Sequence, residues 1–227
     1  MIKPILFNTE MVNAILDGRK TQTRRLVKPN FRSDEYGFQI ITNTHTGEFV
    51  RIEYYDEYEN ETRWMKQPFE AGDVLWVRET WGRLTECDVF PPYEPHEERF
   101  IYRADRGDPD HFQAKWHPSI HMPKEAARIF LRVKDVRVEK LQSIGTADAI
   151  EEGFCGTPCD HGSSDPVNGC VKCINTGWIE PPYAEFAQFW DTTINPADID
   201  EYGWEANPWV WVIEFERCEK PKGWSNA

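Results

Sequence analysis

Apolar positions near the start of the chain recur at helical spacing. Met11 with Ile15 and Val12 with Leu16 form i,i+4 pairs, which predicts an amphipathic helix from Glu10 to about Asp17. Thr9 is the expected N-cap, and Gly18 suits the left-handed position that ends a helix. Residues 30–68 lose this periodicity and crowd Glu53, Asp56, Glu57, Glu59 and Glu61 together. They read as a peripheral acidic excursion holding a β-hairpin. From Gly72 the chain alternates strictly, with Val74, Trp76 and Arg78 on one face and Leu75, Val77 and Glu79 on the other, which predicts a strand.

Pro91, Pro92, Pro95, Gly107 and Pro109 make 91–110 a loop, and Lys124 to Ala127 one short helical turn. Ile129, Leu131 and Val133 alternate, whereas Val136 and Val138 resume in the opposite phase, which predicts a bulge or bend. A helix is expected from Thr146 through Glu151, ended by Gly153. Tyr183, Phe186, Phe189 and Trp190 form the stripe of another. The last strand sets Trp209, Trp211, Ile213 and Phe215 against Val210, Val212, Glu214 and Glu216. Strands scattered among short helices, without regular βαβ alternation, predict an α+β fold around a small mixed or barrel-like sheet.

Charge changes this picture. The formal net charge is −13, yet residues 1–33 carry seven Lys and Arg against Glu10 and Asp17, a local +5. Ile174 to Glu216 contains no Lys or Arg. Such a chain is a poor general DNA binder, because polyphosphate affinity needs many cationic contacts. It can still hold one nucleotide or a short RNA in a local pocket. No apolar run reaches the about 18 residues of a membrane span, and the N-terminus lacks a signal-peptide core. The expectation is a cytoplasmic protein without a membrane partner, its six cysteines reduced or metal-bound.

Two segments carry candidate chemistry. The first is Gly18-Arg-Lys-Thr-Gln-Thr-Arg-Arg25, with four cations and two hydroxyls. Arg19, Arg24 and Arg25 are neighbours that would lower the pKa of Lys20, as a base or nucleophile requires. In a regular strand Lys20 and Thr23 point to opposite faces, so they converge only if the chain turns between them. Taken alone, a solvated basic turn explains the segment better. The second is Cys155-x3-Cys159 and Cys170-x2-Cys173, joined by ten residues rich in turn formers. Four thiolates in two close pairs suit structural Zn²⁺, with His161 a possible substitute ligand. Free thiols or an iron–sulfur site are the alternatives. Arg78, Glu79 and Trp81 either reach a cleft or form an ion pair and a packed ring. His121 can serve as an acid or base near neutral pH. Trp204, Trp209 and Trp211 offer stacking surface, although strand spacing favours core for the last two.

The basic segment after its helix, the stretch Gly72-Asp-Val-Leu-Trp-Val-Arg-Glu79 and the helix end Ala149-Ile-Glu-Glu-Gly-Phe154 together resemble the ASCH domain of the PUA-like superfamily. Gly18, Lys20 and Arg25 fit its GxKxxxxR-type motif. Lys115-Trp-His-Pro-Ser-Ile-His-Met-Pro123 and Tyr202-Gly-Trp-Glu-Ala-Asn-Pro-Trp-Val-Trp211 resemble the phage- and prophage-encoded branch. The resemblance implies a single domain over 1–227, with a PUA-like barrel, short flanking helices, and insertions at about 30–68 and 153–178. It implies binding of RNA or a modified nucleoside in a cationic cleft. Arg19, Arg24, Arg25, Arg78, Glu79, Trp81 and His121 would be the ligand-binding residues. One bacterial branch removes the acetyl group from N4-acetylcytidine with a Lys, a Thr three residues later and a helical Glu. Lys20, Thr23 and Glu152 match that set, with Glu151 as rival for the third place. An accessory protein of phage assembly with a vestigial cleft is the remaining reading.

Overall fold

The structure is a computed structural model that describes residues 1–27, 38–42, 49–55, 62–65, 67–84, 99–105, 115–158 and 178–224. The chain divides into two compact units, each gathered from separated stretches. The first comprises Met1–Lys20, Ala71–Lys134 and Phe215–Ala227; the second comprises Thr21–Glu70 and Asp135–Glu214. Both mix α and β structure.

In the first unit, β1 (Ile2–Leu6) runs parallel to β6 (Val74–Arg78), with Ile2 opposite Val74 and Leu6 opposite Arg78. β6 pairs antiparallel with β9 (Phe130–Lys140), Leu75 facing Leu131. The alternation read from the sequence is real: Leu75 and Val77 are fully buried, and Val74, Trp76 and Arg78 half-buried. Helix α1 (Thr9–Leu16) buries Met11, Val12, Ala14 and Ile15. Its N-cap is Asn8, not Thr9: the Asn8 carboxamide oxygen accepts from the Met11 N–H at 2.8 Å. Asn8 keeps extended backbone, as a cap must, while Thr9 has already entered the helix. Gly18 ends the helix at φ 76°, a conformation that strains any residue with a Cβ.

The expected loop at 91–110 holds a strand. β8 (Arg99–Tyr102) pairs antiparallel with β7 (Trp81–Leu84), Trp81 opposite Tyr102. Lys124–Ala126 is a single 3-10 turn. After the last strand the chain returns to bury Trp224, whose ring meets Trp76 and Phe130 edge-on at 5.8 and 5.1 Å.

In the second unit, β2 (Gln22–Leu26) pairs antiparallel with β12 (Trp209–Cys218), from Gln22 opposite Glu214 to Leu26 opposite Val210. β12 lies between β9 and β2 in strand order. Val210 to Ile213 are buried on both faces, as in a central strand, and Trp211 is core rather than a stacking surface. The acidic excursion is a three-stranded antiparallel meander of β3 (Phe38–Thr42), β4 (Phe49–Tyr55) and β5 (Thr62–Met65), not one hairpin. Helices α2 (Thr146–Glu151), α3 (Pro182–Thr192) and α4 (Ile199–Tyr202) complete the unit, with Phe154, Phe186, Trp190 and Trp204 in a chain of ring contacts. Gly153, at φ 100°, follows α2 as expected.

β9 runs as a single strand through the change of phase: Lys134 and Asp135 are both exposed, and every residue from Val136 to Lys140 is half-buried. One further expectation is corrected. Among the described residues, no strand pairing returns to close a barrel. No helix among them is long and apolar enough to cross a membrane.

Candidate functional site

The centre of the second unit is a buried polar network. Gln22 and Arg24 sit two residues apart on β2, so they share a face. Both reach Asp148 on α2: Gln22 Nε2 donates to the Asp148 carbonyl at 2.8 Å and to Oδ1 at 3.2 Å, and Arg24 lies 3.8 Å from Oδ1. The Arg24 side chain is 0 % exposed. Its Nη1 donates to Glu152 at 3.2 Å and its Nη2 to Glu139 at 3.5 Å, and the guanidinium stands 5.9 Å from the Phe186 ring centre. Its Nε is buried without a hydrogen-bond partner. Arg137 extends the network to Glu139 at 2.6 Å, to Gln22 at 3.5 Å, and to Glu214.

Four carboxylates (Glu139, Asp148, Glu152, Glu214) therefore meet the guanidiniums of Arg24 and Arg137, and the Arg25 charge also acts on Glu152, which leaves a formal surplus of one negative charge. A phosphate would be repelled here rather than drawn in. Burial alone would raise the Asp148 pKa. The hydrogen bonds from Gln22 and the Gly145 N–H and the charges of Arg24 and Arg137 outweigh it, so the carboxyl sits below its ordinary value.

Thr23 lies between Gln22 and Arg24 and points to the other face of β2. It is 4 % exposed and turned away from the side on which Arg24 meets Glu152. Glu152, 3 % exposed, immediately follows α2, whereas its rival Glu151 is exposed. Arg25 is exposed at the surface, yet desolvation lowers its pKa, and the Glu152 charge acts against that shift.

The other candidates belong to the first unit. Lys20 is 3 % exposed, with Nζ 5.7 Å from the Phe7 ring centre. Arg19 is exposed and paired with Asp17 at 3.0 Å. Glu79 and Trp81 take the structural alternative. Glu79, fully buried, is gripped at both oxygens by Arg128 at 2.8 and 2.9 Å, and Arg128 also holds Asp105. Burial raises the Glu79 pKa, and the Arg128 contacts only partly offset it. Trp81 stacks on His117 at 4.9 Å and packs against Met122 and Ala126. Arg78 donates to the Ile120 carbonyl and lies 5.4 Å from the Trp76 ring centre. His121 is exposed on a 3-10 turn.

An open pocket of about 410 Å³ lies in the second unit, lined by Gln142, Ile144, Gly145, Thr146, Tyr183 and Trp204. None of these residues is charged. Tyr183, expected in the apolar stripe of α3, is 43 % exposed, while Phe186 and Trp190 supply the buried side of that helix. Gln142 escaped the sequence reading. Its only signal is its place in a short Gln-Ser-Ile-Gly-Thr link between strand and helix.

Of the expected metal ligands, Cys155 is exposed; Cys159, Cys170 and Cys173, like His161, lie outside the described residues. The strands on either side of that segment, β10 (Thr157–Pro158) and β11 (Trp178–Glu180), pair antiparallel. Among the described residues no group of His, Cys, Asp and Glu could hold a metal. No protein-family profile, curated protein or solved structure matches the chain.

Proposed function

We propose that the protein binds RNA or a modified nucleoside, and that it does so by taking one base into the pocket of the second unit. The observation that carries this reading is the pocket itself. Its volume is at the lower end of small-ligand sites, about 300–1,000 Å³, and it pairs two aromatic residues with a few polar groups. Uncharged walls favour a nucleoside or an unpaired base over a run of phosphates. Stacking on Tyr183 and Trp204 supplies the affinity, on the order of 1–3 kcal/mol per base. Arg24 acts here as a structural cation, spent on Glu152 and Glu139.

Titration with short single-stranded RNAs and free nucleosides tests the reading. Binding is expected to weaken in Trp204→Ala and Tyr183→Ala and to depend little on salt. Binding that falls steeply with salt and ignores both substitutions would overturn it.

A second reading, hydrolysis of an N4-acylated cytidine, draws support from the burial of Lys20, Thr23 and Glu152, each at most 4 % exposed. Buried polar groups of this kind are often kept for chemistry. Release of cytidine from N4-acetylcytidine, abolished by Lys20→Ala, is the expected result. The contact of Glu152 with Arg24 weighs against it. Structural zinc held by Cys155, Cys159, Cys170 and Cys173 belongs to the same proposal, in the insertion at about 153–178; its chemistry would be the closing of that loop.

A further inference from the structure

The pocket holds one polar side chain whose orientation is determined. The Gln142 backbone N–H donates to Asn207 Oδ1 at 2.9 Å, and its side-chain Nε2 donates to the Trp204 carbonyl at 2.8 Å. Lys140 Nζ reaches the Asn207 carbonyl at 3.3 Å, and the Leu141 N–H the Pro208 carbonyl at 2.9 Å, so residues 140–142 are fastened to 204–208. A carbonyl oxygen only accepts, so the amide nitrogen must face Trp204. One N–H and the oxygen Oε1 of Gln142 are left over, on an exposed residue that lines the pocket. These two groups form a donor–acceptor pair of the kind that reads base edges bidentately.

Building on the base-binding reading, we infer that Gln142 is the specificity-determining residue of this pocket, and that the ligand is an unpaired nucleobase whose own donor–acceptor edge is free. Cytosine, adenine, uracil and guanine each present a donor beside an acceptor on that edge. A base already paired in a duplex does not. A base methylated at the ring nitrogen of that edge has lost half of it.

Ligand-observed NMR and calorimetry with cytidine, uridine, adenosine and guanosine and their 3-methylcytidine, 3-methyluridine, 1-methyladenosine and 1-methylguanosine counterparts provide the test. One short RNA, single-stranded and as a duplex, separates free nucleosides from RNA as the source. The four parent nucleosides and the single strand should bind. The methylated forms and the duplex should bind about tenfold more weakly or not at all, as expected for loss of a bidentate contact. Gln142→Leu should erase discrimination between parent and methylated nucleosides. Equal binding of parent and methylated nucleosides to the unaltered protein would overturn the role of Gln142 and leave base binding standing. Absence of binding by every nucleoside and RNA would overturn both. Because Gln142 is exposed, the variants should unfold with the parent protein; a melting shift in Gln142→Leu larger than its binding change would count against the role.

Discussion

Arg24 is the sharpest place to test the arrangement of the second unit. Replacing it with Met keeps an unbranched apolar stem and removes the guanidinium with its charge. Glu152, 3 % exposed, then loses its Arg24 partner and keeps the electrostatic support of Arg25. Breaking a buried pair at one partner costs up to about 3–5 kcal/mol, because the surviving charge loses most of its compensation. Glu139 and Asp148, at 27 % and 31 % exposure, are partly hydrated and contribute less. For a chain of this size each kcal/mol moves the melting temperature by about 2–4 °C, so the expected fall is up to roughly 6–20 °C. Differential scanning calorimetry and urea unfolding followed by tryptophan fluorescence read it directly. Arg24→Met/Glu152→Leu should recover most of the loss, since an apolar pair of similar volume needs no solvation. A single variant that loses less than about 1 kcal/mol, or a double variant no better than the single, would refute the structural role and return Arg24 to the ligand-binding cations.

Other outcomes follow from the same geometry. Asp148, held below its ordinary value, contributes stability that is present above about pH 4 and lost as pH falls through the lowered value. Asp148→Asn should therefore be less stable at pH 7 yet lose less between pH 5 and pH 3 in urea titrations; an unchanged acid slope would contradict the assignment. Gly203 has no room for a side chain, since a Cβ there would stand 2.5 Å from the Ile199 carbonyl. Gly203→Ala should cost about 1–3 kcal/mol and weaken ligand binding through the neighbouring Trp204, both measurable in one thermal-shift series with and without ligand. Metal analysis of purified protein should find about one zinc per chain, reduced in Cys155→Ser; zinc-free protein would remove the metal proposal.

Local pattern revealed the elements with the strongest periodicity. The i,i+4 pairs marked α1, the alternation at 74–79 marked β6, and the tryptophan-rich alternation near the end marked β12. The first misses came where two residue types competed for one role. Asn8 and Thr9 can both cap a helix, and the backbone decided for Asn8. β8 is four residues inside a proline-rich context, and its pairing with β7 is what makes it a strand. The site was less legible, because its decisive contacts are long-range. Arg24 lies 115 and 128 residues from Glu139 and Glu152, and nothing around Gly18 announces that carboxylates will consume the charge. Thr23 illustrates the converse: its alternation with Arg24 was foreseeable once β2 was known to be a regular strand. Gln142 carries no motif; its meaning comes from the two bonds that hold it to 204–207.

The interleaving of the two units along the chain sets an order of events during synthesis. Each unit takes part of β9 and part of β12, and the first also needs residues from the beginning of the chain. A ribosome releases the chain from the N-terminal end, so β1, β2 and β6 emerge long before the strand that completes either unit. Neither unit can finish folding until Trp209–Cys218 has emerged, and the second, despite holding the pocket, cannot be released early as an independent piece. Truncation before β12 should leave apolar strand faces waiting for a partner, which makes this protein a candidate for chaperone dependence set by topology rather than by size.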